Sequence, residues 1–421
     1  MFVTLKNKEE NQMQRTTTGT SLCRPQKYLG TKGLILLISL MGMFIPLSID
    51  LYLPAMPEMS TYFQTTSLMV NLTLLAFYFF FAVGIILFGT FSDKYGRKPI
   101  LFICLFFYMT GSLLCAFAGT IHGLIGFRII QALGAGGVMA ISTALVKDCF
   151  EGKLKSKILA VVQAMGVLAP MIAPIAGALI LRVANWRVTF VVLAVIGLLT
   201  FFGVLLFQET LRIEDRYHGT ITGSLKQLIV VGKNKGFSSF LFITALIAAP
   251  YMAYITMSSY IYQSVFLLNA QSYSYYFAVN SGLAVLGPIL YIQSIGKLSP
   301  KRFTWLCFTI ACVSGLCVFL FGNFSPLVFL ICFVPFTLVE GAIRPFSTDI
   351  LLEQQKEDIG AASSLINAIH TILGSVGMVL GSLRWENMIH GLGILMIGMT
   401  AAALIIWLLV LKNKVAIKGI N

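Results

Sequence analysis

The sequence predicts an all-α polytopic membrane protein, with twelve transmembrane helices arranged as two six-helix bundles related by a parallel repeat. Three observations predict it. The composition is too apolar for a water-soluble chain, apolar runs of spanning length recur along most of the chain, and the two halves match at an offset of 204 residues.

Of the 421 residues, 57% are apolar and 11% charged, and the mean hydropathy is +0.87; soluble domains carry about 25% charged residues. A helix rising 1.5 Å per residue needs about 20 apolar residues to cross about 30 Å of hydrocarbon. Runs of that length are expected at 34–56, 68–92, 99–119, 123–147, 157–181, 187–207, 237–263, 273–296, 303–322, 326–351, 360–383 and 391–411. They divide the chain into a tail over 1–33, a first bundle over 34–207, a connector over 208–236, a second bundle over 237–411 and a tail over 412–421.

The net charge of +14 and pI near 9.4 raise the question of nucleic acid. Position answers it, because almost all lysines and arginines fall in the tails and loops on one face. Only Arg182, Arg187 and Arg384 fall on the other, while Arg128 and Arg344 lie within spans. The positive-inside rule then places both termini in the cytoplasm, in agreement with an even number of spans. The expected partners are the lipid bilayer, protons and a small-molecule substrate; no nucleic-acid partner is expected, and the chain is expected to act as a monomer.

Eight cysteines without a C-x-x-C spacing sit mostly in apolar runs, where a thiol packs as a small hydrophobe. The histidines at 122, 218, 370 and 390 share no helical face, so no metal site is expected. His370 reads as a packed residue rather than a proton relay. The first apolar run starts too late and runs too long for a signal peptide.

At the offset of 204, Gln163 falls on Asn367, Gly137 on Gly341, Gly177 on Gly381, and Arg97-Lys98 on Lys301-Arg302. That interval holds six spans, an even number, so the second copy enters from the same side as the first. The connector turns abruptly polar; its "SLKQLIVVGKNK" reads equally well as a basic surface helix or as a plain linker. Two such bundles suit a transporter that opens a central site to one face at a time, and at this point the chain resembles the major facilitator superfamily.

The loop "GTFSDKYGRKP" after the second span resembles that family's G-x-x-x-D-x-x-G-R-[KR] signature. The resemblance implies a conformational switch made of Gly89, Asp93, Gly96, Arg97 and Lys98. In it Asp93 meets the opposite bundle, Gly89 allows close helix approach, and Gly96 makes a tight turn. The alternative is that the cations only anchor topology. By residue chemistry, Asp93 ends a helix whose dipole disfavours it, so it should face another helix's N-terminus or an arginine.

The fourth span contains "RIIQALGAGG", similar to the family's R-x-x-Q-G-x-G-x-[AG] pattern except at Ala132. An arginine in a span costs roughly 3 kcal/mol, so Arg128 should face a wet cavity or a carboxylate. Asp50 poses the same question from the first span, and counting from the span ends puts the two at depths of about 12 and 9 Å. Burial favours a protonated carboxyl and a nearby cation an ionised one, so Asp50 with Arg128 reads as the proton-coupling pair. A static pair joining two helices is the alternative. Pro54 cannot donate to the carbonyl of Asp50, nor Pro46 to that of Gly42, and polar backbone is thereby freed along a cavity.

"GVLAPMIAPIAGALI" in the fifth span, with Gly166, Pro170, Pro174 and Gly177, resembles the glycine-proline motif of antiporters and adds to the expected switch. With "DLYLPAMP" and "QETL", the pattern is similar to the Bcr/CflA-like drug:proton antiporters. The tenth span departs from it. Glu340 and Arg344, spaced i,i+4, either neutralise each other or face the cavity and meet a charged or zwitterionic substrate. Tyr251, Tyr254, Ser258 and Gln263 of the seventh span complete the expected substrate cavity.

The resemblance implies a proton-coupled exporter of a small organic compound, a drug or a metabolite, in a bacterial inner membrane. It would need no cofactor beyond the proton gradient. The alternative is a proton-coupled importer of a siderophore, sugar or peptide on the same fold. No G-x-x-x-x-G-K-[ST] or H-E-x-x-H pattern occurs, and no enzyme is expected.

Overall fold

The computed structural model describes residues 26–150, 152–211, 214, 216, 229–354 and 359–420; at 147, 152–157, 159–167, 359–361 and 364 it describes the backbone alone. Of the expected tails and connector, 1–25, most of 212–228 and residue 421 therefore lie outside the described residues. The first span, α1 (Gly30–Tyr62), is broken into Gly30–Gly42, Phe44–Asp50, a 3-10 turn at Leu53–Ala55, and Met56–Tyr62. Both breaks fall where Pro46 and Pro54 withhold a backbone donor.

Then come α2 (Ser67–Tyr95), α3 (Arg97–Ala116), α4 (Ile121–Cys149), α5 (Gly152–Val183) and α6 (Arg187–Leu206). The second set is α7 (Lys235–Tyr260, continued by a π turn over Ile261–Val265), α8 (Ala270–Ser294), α9 (Pro300–Phe321), α10 (Pro326–Glu353), α11 (Ile359–Gly381) and α12 (Met388–Lys412). Among the described residues ten helices are long and apolar enough to cross a membrane, and Leu168–Val183 and Leu365–Gly381 are shorter apolar stretches within α5 and α11. The all-helical polytopic fold expected from the sequence is the one observed.

The helices start where side chains satisfy the first free amides. Thr66, Thr120, Asn234, Asn269, Ser299, Ser325 and Asn387 each accept from a backbone N–H of the helix that follows. Within the first set, α2 and α3 pack on α4; within the second, α7 packs on α11 and α9 on α12. The two sets meet along α2 with α11 and α5 with α8, and α1 reaches α7 and α8.

The face carrying Gln26, the Gly89–Pro99 loop and Lys418 is the basic face. Gln26 donates to the Gln208 carbonyl at 3.1 Å and accepts its amide at 2.8 Å. Gln354 repeats the pattern with the backbone of Lys418, at 2.9 and 3.0 Å.

Candidate functional site

Asp50 closes the helical segment Phe44–Asp50 and is buried. Among the described residues its carboxylate has no ion pair. It lies within electrostatic range of Tyr78 on α2, Tyr251 on α7 and Tyr273 on α8, and so faces the second bundle.

Arg128 is also fully buried, yet the structure does not join it to Asp50. Its Nη1 donates to the Ser48 carbonyl at 2.9 Å and to Gln131 Oε1 at 2.7 Å. Its guanidinium lies 4.3 Å from the ring centre of Phe77, 4.7 Å from Tyr52 and 5.7 Å from Phe190. These aromatic faces partly replace the counter-ion. Nε and Nη2 have no hydrogen-bond partner among the described residues. Behind the guanidinium, Gln131 donates to Ser112 at 2.8 Å, and Ser48 pairs with Tyr108 at 2.8 Å. The static Asp50–Arg128 strut is therefore absent from this conformation. Residues 48 and 50 point to nearly opposite sides of one helical turn, so the Ser48 side chain meets Tyr108 on α3 while Asp50 meets the bundle interface.

Across that interface, Glu340 Oε1 and Arg344 Nε are 3.7 Å apart within α10. Arg344 is within electrostatic range of Tyr78, and Glu340 of Tyr251, the two tyrosines that Asp50 also reaches. The structure thus brings Asp50, Tyr251, Glu340 and Arg344 to one site and adds Tyr78. The sequence concealed Tyr78 in the run "AFYFFFA", where a lone hydroxyl among lipid-length aromatics carries no signal.

The other expected cavity residues are placed elsewhere in this conformation. Tyr254 is fully buried in an aromatic stack, 4.1 Å from the ring centre of Phe333. Ser258 is buried against Tyr273, 3.2 Å away. Gln263 donates to the Pro54 carbonyl and to Ser259 Oγ, both at 2.9 Å. Ser259 donates to the Leu53 carbonyl at 2.7 Å, and Tyr260 pairs with Ser60 at 3.0 Å.

The hydrogen bonds between described residues that cross from one bundle to the other all join α1 to α7, away from the basic face. The 3-10 turn beside Pro54 leaves its carbonyls free to accept them. Removing two such bonds with Ser259→Ala and Gln263→Ala, each worth about 1 kcal/mol, is expected to favour opening at that far face by about tenfold or more. The check is the labelling rate of a Met56→Cys reporter from that side, in a chain lacking the native cysteines. An unchanged rate would contradict the clamp.

At the basic face, Arg97 pairs with Asp93, with Ser92 at 2.9 Å and with Asp148 at the end of α4 at 2.9 Å. The expected contact of Asp93 with an arginine is met inside its own bundle in this conformation, not across to the other. Gly96 has φ +105°, and a Cβ there would lie 2.7 Å from Glu209 Oε2. Glu209 accepts from the amides of Arg97 and Lys98 at 3.0 and 2.9 Å, which caps α3. Lys98 donates to the Leu205 carbonyl at 3.1 Å at the end of α6.

Gly89 faces Ala140 with ordinary room, 3.5 Å from a built Cβ, so the close approach expected there is not seen. Pro170 and Pro174 lie inside α5. Gly177 abuts the loosened turn after Asp50, where a Cβ would be 1.9 Å from the Leu51 carbonyl oxygen. The side-chain position of Gly166 lies outside the described residues.

Paired bundles of spanning helices that enclose facing charges define a polytopic membrane transporter. The Major Facilitator Superfamily model matches residues 38–378, and the chain belongs to that family. It is a secondary transporter and not an enzyme.

The chain is 29% identical over 352 residues to "Uncharacterized MFS-type transporter YdgK" of Bacillus subtilis (strain 168), covering 82% of this chain and 87% of that one. It is 23% identical over 361 residues to "Bicyclomycin resistance protein homolog" of Haemophilus influenzae, covering 84% and 90%. Among solved structures, the peptide transporter POT in complex with sulfate superposes with a TM-score of 0.73 at 14% identity, over 93% of this chain and 96% of that one. That likeness speaks for the fold alone.

Proposed function

We propose that this transporter exports a small organic compound, a drug or metabolite, in exchange for protons, with Asp50 as the proton carrier. The observation that carries the reading is the placement of Asp50. It is a buried carboxylate without an ion pair among the described residues, at the bundle interface, on a helix broken on both sides of it. Such a group changes ionisation when its access to water changes, and a rocking of the bundles changes that access. Arg128, held by Ser48, Gln131 and three aromatic rings, keeps a fixed positive charge behind the same segment.

The resistance named for the Haemophilus relative supports export. The basic face is assigned to the cytoplasm, with both termini there, and the membrane to the cytoplasmic membrane of a bacterium. The bundles are assigned to 34–207 and 237–411. The Gly89–Lys98 loop, together with Gly166, Pro170, Pro174 and Gly177, is assigned to the switch between conformations.

The energetics suffice. A potential of 100 mV supplies about 2.3 kcal/mol per charge, enough for a roughly fifty-fold gradient if one net charge crosses per substrate. Direction is tested with everted vesicles energised by an imposed proton gradient. An exporter accumulates its substrate there, whereas uptake confined to intact cells would reverse the assignment to an importer.

A further inference from the structure

The functional reading above leaves the chemical class of the substrate open, and α10 bears on it. Arg344 lies within the span Pro326–Glu353, yet its side chain is 55% exposed, against 11% for Glu340. It shares one face of α10 with the buried Phe333, Thr337, Glu340 and Ser347, which turns it to the interior of the protein rather than to lipid, on the side of Tyr78 on α2 and the buried His370 on α11.

The pair with Glu340 is loose and single, through Nε at 3.7 Å. Both terminal guanidinium nitrogens are left without a partner among the described residues. The neighbouring hydroxyls do not turn to them: Ser347 and Thr348 both donate to the backbone carbonyl of Arg344, at 3.0 and 2.9 Å. On α11, His370 is buried with Nδ1 unpartnered among the described residues. The free terminal edge of the guanidinium, with its two nitrogens, is shaped for two oxygens of one anion, and a charge exposed in mid-span needs such a ligand or water. Stacked aromatic rings, Tyr251 with Phe333, lie on the Glu340 side of the site.

We propose that the substrate is a small organic carboxylate with an apolar body, its carboxylate held by the terminal nitrogens of Arg344. This deepens the export reading and rests on it for the location of the site. It does not rest on the proton role of Asp50.

Binding at equilibrium, without any gradient, separates the two. The purified full chain in detergent is titrated calorimetrically with matched acid and amide probes: indole-3-acetate and indole-3-acetamide, N-acetylphenylalanine and its amide, benzoate and benzamide. For at least one pair the acid is expected to bind about tenfold or more tightly than the amide, because a site built for a carboxylate leaves its donors unpaired with the amide. Arg344→Gln should remove that preference, and Arg344→Lys should weaken it through loss of the two-pronged contact.

Because Arg344→Gln leaves Glu340 buried and unpaired, the double variant Glu340→Gln/Arg344→Gln is measured beside it, and it too should lose the preference while remaining folded. Acid preference that survives in the double variant, or the absence of every acid from the compounds bound, overturns the proposal. If acids bind through Arg344 but no proton-driven export follows, the export reading fails and this one stands.

Discussion

Asp50→Asn is expected to abolish proton-driven accumulation in everted vesicles, a loss of a hundredfold or more, while exchange of labelled substrate at equilibrium continues. Asparagine keeps the size and polarity of the side chain and removes only the ionisation. The site around it is not expected to collapse, because Asp50 makes no ion pair among the described residues whose loss would strand a partner. Arg128 would keep Ser48, Gln131 and its aromatic faces. A static strut predicts the opposite pattern: lowered stability with coupling intact. Thermal unfolding measured beside transport therefore tells the two apart.

Gly177→Ala is the second large effect expected. α5 reaches the break in α1 so closely that a methyl at 177 would lie 1.9 Å from the Leu51 carbonyl oxygen and 2.9 Å from its carbon. Neither is the end of a flexible side chain, so the backbone next to Asp50 must move. Overpacking of this kind costs about 1–3 kcal/mol, and here it also displaces the proposed carrier. Thermal stability and transport rate should both fall, transport by about tenfold or more. Gly398→Ala on α12 serves as the control, since nothing lies within 4 Å of a methyl built there. Wild-type stability and rate in Gly177→Ala would show that α1 and α5 are not in the contact described.

The two substitutions mark how far the sequence could be read. Apolar length and the 204-residue repeat carried the spans, and Pro46 and Pro54 marked the breaks in α1, because a missing backbone donor acts locally wherever the helix runs. In the sequence only depth relates Asp50 to Arg128. Depth sets distance along the membrane normal and says nothing of azimuth, so Arg128 binds the carbonyl of Ser48 instead.

The Gly89–Lys98 loop was legible as a motif, but its partners were not. Asp148 sits about fifty residues away at the end of α4, and Glu209 caps α3 from beyond α6. Contacts of that range follow from packing, although the "QETL" stretch already placed an acid where the chain leaves the first bundle. Gln263 reads as a cavity residue by composition. Its role in the clamp depends on the free Pro54 carbonyl of another helix, which no pattern within α7 reveals.

The central claim is that protons cross because Asp50 changes ionisation as the bundles move. It is tested most directly by recording the pH inside liposomes reconstituted with the purified chain while a substrate gradient is imposed and no other energy source is present. The wild-type chain should move protons against the direction of substrate flow, and Asp50→Asn should pass substrate downhill with no proton movement. Proton movement coupled to substrate in Asp50→Asn, at the wild-type ratio, would contradict the account.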